Sequence, residues 1–69
     1  MSVVKVIEIV GGSPDGFKEA VEHALAECCK TVRNVVGIEV INWTCNVEGG
    51  RIREFKVNCK IAFAVDEHR

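Results

Sequence analysis

VVGIEVINWTCNVEGGRIREFK, Val35 to Lys56, reads as a long β-hairpin. Two runs rich in β-branched and aromatic residues flank Glu48-Gly49-Gly50-Arg51, a turn in which glycine supplies the positive φ that a tight antiparallel reversal needs. The second run continues to about Val65, so the two strands run from Val35 to Val47 and from Ile52 to Val65. Successive strand side chains point to opposite faces, which sorts the hairpin into two surfaces. Ile38, Val40, Phe55, Val57, Cys59, Ile61, Phe63 and Val65 make an apolar face suited to covering a helix. Gly37, Glu39, Ile41, Trp43, Lys56, Asn58 and Lys60 are expected on the other face, which must meet water, a ligand or a partner.

Upstream of the hairpin, Val3 to Val10 is a β-branched run ending at Gly11-Gly12, which reads as a first strand followed by a turn. Ser13-Pro14-Asp15 then carries three helix-start signals: a capping hydroxyl, a proline at the first helical position, and a carboxylate at the positive end of the helix dipole. The helix is expected to begin at Pro14. Phe17, Ala20, Val21, Ala24, Leu25, Cys28 and Val32 recur at helical spacing and form one apolar stripe, and Asn34 is the expected stop. The order is β-α-β-β. A helical crossover joins parallel strands and a Gly-Gly turn joins antiparallel ones, so the third strand belongs between the first two. The fold class is α+β, a three-stranded antiparallel-type sheet packed on one helix, with residues 1–69 as one domain.

At 69 residues the chain has room for one core. A domain of this length buries only roughly 60% of its unfolded surface, and chains below about 70 to 80 residues usually need disulfides, a metal or self-association. Self-assembly is therefore expected. Nine Lys and Arg against ten Asp and Glu give a formal charge of −1, without the basic footprint that phosphate neutralisation on nucleic acid requires. Lys5 and Glu8 interrupt the apolar start, so neither a signal peptide nor a membrane span is expected, and the cytoplasm is the expected compartment.

Cys28 and Cys29 are adjacent while Cys45 and Cys59 stand alone, so no C-x-x-C pair exists, and His23 and His68 lie at no ligand spacing from them. They read as reduced thiols serving as small apolar residues. Carboxylates cluster only at Asp66-Glu67, and no metal site is expected. No nucleophile with a base and an orienting third group is present, nor a phosphate-cradling loop beyond Gly11-Gly12, so an enzyme is not expected. Binding is better served, because Trp43 offers a stacking plane, Lys56 a cation, and Glu39 and Asn42 hydrogen-bonding groups. The same residues also suit a subunit interface, with Trp43 against a neighbour.

Val3-Val4-Lys5-Val6-Ile7-Glu8-Ile9-Val10-Gly11, Ser13-Pro14 at the helix start, Lys30-Thr31-Val32-Arg33-Asn34-Val35, Glu39-Val40, Glu48-Gly49-Gly50 and Val57-x-x-Lys60-Ile61-x-Phe63 resemble the dodecins across nearly the whole chain. The resemblance implies a non-catalytic β-α-β-β protein that stores or sequesters a flavin, riboflavin or flavin mononucleotide (FMN). It also implies a homo-oligomer, a hollow dodecamer with ligand sites between subunits on the outer face of the hairpin. The remnant of such a site would be Val36, Gly37, Asn42 and Lys56. Two departures matter. Where the family pattern has the tryptophan that stacks on the isoalloxazine ring, this chain has Gly37. Trp43, six residues along the strand and about 20 Å away at roughly 3.3 Å per residue, cannot replace it. Where the family commonly has a glutamine bonded to the ring edge, this chain has Lys56, which donates but cannot accept. Flavin binding is accordingly expected to be weakened or lost. Lys56 suits a small anionic ligand, or it pairs with Glu39 across the strands, and the shell without a ligand is purely structural.

Overall fold

The structure, a computed structural model, describes residues 3–65. Strand β1 (Val3–Ser13), helix α1 (Phe17–Cys29), strand β2 (Val35–Glu48) and strand β3 (Arg51–Val65) follow in that order. The sheet order is β1-β3-β2, and β3 is antiparallel to both neighbours. The helix is thus the crossover between two parallel outer strands, and the hairpin inserts its second arm between them. Gly49 and Gly50 have φ of 60° and 76°, the left-handed values that the reversal demands. Asp66 and Glu67, the expected carboxylate cluster, and His68 lie outside the described residues.

Helix and sheet meet through small side chains. Ala20, Ala24 and Cys28 on α1 are buried against Val57, Cys59 and Ile61 of β3, with Ile9, Phe17, Val21, Ile38 and Val40 packed around them. Full burial of a side chain such as Ile61 stabilises by about 1.5–3 kcal/mol. The approach is closest at Gly11, where an added Cβ would lie 2.6 Å from the Ala20 carbonyl oxygen and 2.7 Å from the Ala24 Cβ. Burial also pushes the Cys59 thiol up from its ordinary range, with the Cys28 thiol adding to the shift. All four cysteines are free, two of them buried and Cys29 exposed.

Both ends of the expected helix move inward. Gly11 and Gly12 are not a turn: β1 continues through them to Ser13, pairing opposite Val57, Lys56 and Phe55. Gly11 is required for the close helix contact rather than for a positive φ. Ser13 is buried, and its hydroxyl accepts the Asp15 N–H at 3.0 Å, so it shapes the connection instead of capping a helix that starts at Pro14. The first helical residue is Phe17, and the Ala20 N–H donates to the Gly16 carbonyl. At the other end α1 stops at Cys29, and Val32 lies in a closing turn whose N–H donates to the Cys28 carbonyl. Asn34, at φ 62°, takes the left-handed conformation that asparagine tolerates. Its carbonyl accepts the Ala64 N–H and sets the start of β2.

The hairpin faces are not those of strict alternation. Pairing of β2 with β3 slips at three places: between Val35 and Gly37, between Val40 and Asn42, and between Asn46 and Val47. Each extra residue makes a β-bulge and reverses the faces beyond it. Ile41 is the extra residue of the second slip. Trp43 therefore stands opposite Val57, on the helix side, and its ring meets Phe17 edge-on with centroids 5.0 Å apart and planes at 86°. The expectation that Trp43 shares the face of Gly37 is overturned by that single inserted residue. Phe17 makes a second edge contact with Phe55, also at 5.0 Å.

Candidate functional site

The sheet has one face under α1 and one open face, whose composition follows from the register. Across β1, β3 and β2 the open face reads Val6, Ala62, Gly37; then Glu8, Lys60, Glu39; then Val10, Asn58, Asn42; then Gly12, Lys56, Thr44. It is apolar and built of small residues at one end, charged across the middle and polar beyond. Asn42 belongs to it because of the Ile41 bulge, since strict alternation from Val40 would put its amide beneath the helix.

Gly37 stands at the small-residue end opposite Ala62, and a Cβ placed there would meet nothing within 4 Å. It lines a cleft of about 540 Å³ with Val6, Ile38, Glu39, Lys60 and Ala62. Val36 is the extra residue of the first bulge and is 65% exposed. It borders a second cleft, of about 320 Å³, with Leu25, Cys29, Val35, Gly37 and Ile38. Asn42 and Lys56 occupy neighbouring rows, whereas Lys56 lies six residues along β3 from Ala62, roughly 20 Å from Gly37 at about 3.3 Å per residue. Within one subunit, Gly37 and Lys56 border different parts of the face.

Charge on this face is placed differently from expectation. Lys56 is opposite Thr44 and Gly12, and the strand neighbours of Lys60 are Glu39 and Glu8. The expected Lys56–Glu39 pair is therefore replaced by a Glu8-Lys60-Glu39 row: Glu39 faces Lys60 in the same register in which the Gly49-Gly50 turn sets Glu48 opposite Arg51. Among the described residues the ion pairs are Lys18–Glu22, Glu27–Lys30 and Glu48–Arg53, none of them on these rows. Asn58 carries a buried side-chain oxygen with no hydrogen-bond partner. Val6 and Glu8 join the face only through the β1–β3 register, and a long-range pairing leaves no mark in the local pattern. On the helix side, the exposed His23 ring donates from Nδ1 to the Gly12 carbonyl at 3.0 Å.

Residues 3–66 match the family model described as Dodecin. The chain belongs to the dodecin family. It is 31% identical to the dodecin of Thermus thermophilus over 65 residues, 94% of each chain. Its fold is similar to that of the dodecin from Streptomyces coelicolor, at a TM-score of 0.93 and 31% identity over 97% of this chain and 96% of the other. The dodecin from Streptomyces davaonensis gives 0.92 and 29%, over 96% and 97%. Among the described residues no helix is long and apolar enough to cross a membrane.

A dodecin ligand that stacks on an indole requires an aromatic plane on the open face. The aromatic residues of this chain are three phenylalanines and one tryptophan. Phe17 is on the helix, Trp43 and Phe55 are in contact with it, and Phe63 is opposite Lys5 and Val35 in the helix-side register of β3. All four rings thus belong to the helix side, and the open face of this dodecin-family chain presents none. Its residues do not fit a stacked isoalloxazine ring.

Proposed function

We propose that the chain is the subunit of a hollow, non-catalytic shell of its own copies, a dodecamer of the flavin-storing type, in which flavin binding is weakened or lost. The observation that carries this reading is the open space at Gly37, on a face without an aromatic ring. A planar cofactor there would gain neither the stacking nor the apolar burial that an indole supplies. The need for company is supported by the exposed valines of the open face, Val4, Val6 and Val10, each at least half exposed in the isolated subunit. The shell reading extends to residues 1–69 as one unit, to the cytoplasm as its compartment, and to Val36, Gly37, Asn42 and Lys56 as the vestige of the ligand site.

Titration of riboflavin and FMN fluorescence with the purified protein tests the ligand half, and sedimentation tests the shell. The expected result is a particle of about twelve subunit masses that leaves flavin fluorescence nearly unquenched. Tight quenching by the natural chain would overturn the loss of binding, and a folded monomer would overturn the shell.

A second reading, a shell that takes a small anionic ligand, is favoured by one feature. Lys56 stands on the central strand between a glycine and a threonine hydroxyl, outside every ion pair of the described residues. Calorimetric titration with inorganic phosphate, compared with Lys56→Met, separates this reading from a purely structural shell.

A further inference from the structure

Helix α1 and the central strand advance in step, and this brings two cysteines to one level. Phe17 of α1 meets Phe55 of β3. Further along, Ala20 and Ala24 enclose Gly11, whose partner on β3 is Val57, and Ala24 and Val57 belong to one buried cluster. The next residue of the helix stripe, Cys28, follows Ala24 by one turn, about 6 Å at 1.5 Å per residue. The next β3 residue beneath the helix, Cys59, follows Val57 by two positions, about 6.6 Å at roughly 3.3 Å per residue. Cys28 is therefore carried to the level of Cys59. Both thiols are free and buried, at 6% and 0% exposure. Burial pushes the Cys59 thiol up, and the Cys28 thiol is near enough to add to the shift.

The layer between helix and sheet is thin at this contact, because Gly11, Ala20 and Ala24 hold the backbones apart by almost nothing. A disulfide spans Cα atoms only about 4.4–6.8 Å apart and so needs such a close approach. A metal is a poorer occupant, since no group of three or more His, Cys, Asp or Glu able to hold one occurs among the described residues. We propose that Cys28 and Cys59 are an oxidisable pair, which joins α1 to β3 of the same subunit by a disulfide when a small-molecule disulfide such as oxidised glutathione is in excess. Cys28, the less buried of the two and next to the exposed Cys29, gives up its proton and attacks one sulfur of the oxidant, releasing one thiolate. Cys59 gives up its proton, attacks the Cys28 sulfur and expels the second thiolate. The two protons end on the two released thiolates, so two protein thiols are oxidised and one small disulfide is reduced to two thiols. The link closes a loop of thirty-one residues, 28 to 59, that contains all of β2 and the hairpin reversal. It ties helix to sheet covalently and restricts the unfolded chain. The proposal concerns the single subunit and stands apart from the shell and its ligand.

Peptide mapping of the natural protein tests this without any substitution. After incubation with oxidised glutathione the protein is blocked with N-ethylmaleimide, unfolded and digested with trypsin, which frees Cys59 in Val57–Lys60 and Cys28 with Cys29 in Glu19–Lys30. The expected result is these two peptides joined by a disulfide, from subunits that run as single chains on a non-reducing gel. The same joined pair is expected from Cys29→Ser, in which Cys28 alone remains to form it. Oxidation is expected to raise the urea midpoint, by on the order of 1–2 M, and dithiothreitol to reverse the rise. Cys59→Ala, which keeps the site apolar, is expected to show neither the link nor the rise. Free Cys28 and Cys59 after the incubation, a link from Cys59 to Cys29 or Cys45, or a disulfide between two chains overturns the proposal.

Discussion

On the proposed reading, Gly37→Trp is expected to create or strengthen flavin binding relative to the natural chain. The backbone at Gly37 lies in a strand outside the positive-φ region, and nothing stands within 4 Å of a Cβ there, so an indole can be added to the open face without displacing a neighbour. A tryptophan contributes 150–250 Å² when fully buried, and one ring face against a flavin removes roughly 100 Å² of it from water, about 2.5 kcal/mol at about 25 cal/mol per Å². The stacked geometry adds about 1 kcal/mol. The sum, about 3.5 kcal/mol, corresponds to roughly 300-fold in affinity. Riboflavin fluorescence titration reads this directly, with the natural chain as reference and particle mass as the check on assembly. Because Trp43 lies on the helix side, it serves as an internal control whose environment should not change. A Gly37→Trp particle of normal mass whose riboflavin affinity equals that of the natural chain would refute the reasoning, and it would mean that the face is closed or reshaped in the assembly.

Two strand glycines should respond in opposite directions to the same substitution. Gly11→Ala drives a methyl group into the helix backbone and is expected to lower stability in urea by about 1–3 kcal/mol, whereas Gly37→Ala enters open space and is expected to raise it by about 0.5–1 kcal/mol. Trp43→Ala removes a half-exposed ring from the Phe17 contact, so about half the usual loss for a core aromatic, roughly 2 kcal/mol, is expected by circular dichroism melts. At alkaline pH the raised pKa of buried Cys59 has a defined sign. Its contribution to stability is fully present below the ordinary thiol value of 9.0, and is lost as pH rises from there through the higher folded value, because the unfolded chain ionises first. Urea midpoints measured from neutral to alkaline pH should fall for the natural chain and fall less for Cys59→Ala. An equal decline in both would refute the assignment.

Much of the fold is legible in the residues themselves. The order of elements, the central position of β3, the Gly49-Gly50 reversal and the helix stripe of Ala20, Ala24 and Cys28 all follow from short-range chemistry, in which each residue votes through its own period or turn preference. The dodecin resemblance rests on motifs spread over the chain, and the departures at Gly37 and Lys56 are visible in the same residues. The site is legible only in part. Gly37 and Lys56 lie on the expected face, but Glu39 pairs with Lys60 rather than Lys56, as counting back from the Gly49-Gly50 turn requires, and Trp43 lies on the helix side because the Ile41 bulge interrupts the two-residue period.

Sequence alone thus determined which segments are strands and helix, and that position 37 carries no side chain. Tertiary structure decided which side chains meet. Bulges at Val36 and Ile41 reverse the faces of β2, the β1–β3 register lines up Glu8 with Lys60, and the close passage of α1 over Gly11 makes that glycine a packing requirement. These outcomes are non-local. A strand's alternation is fixed by its own backbone, whereas its register and bulges are fixed by what best fills the space between helix and sheet, and that sum over distant residues is written in no single stretch of the chain.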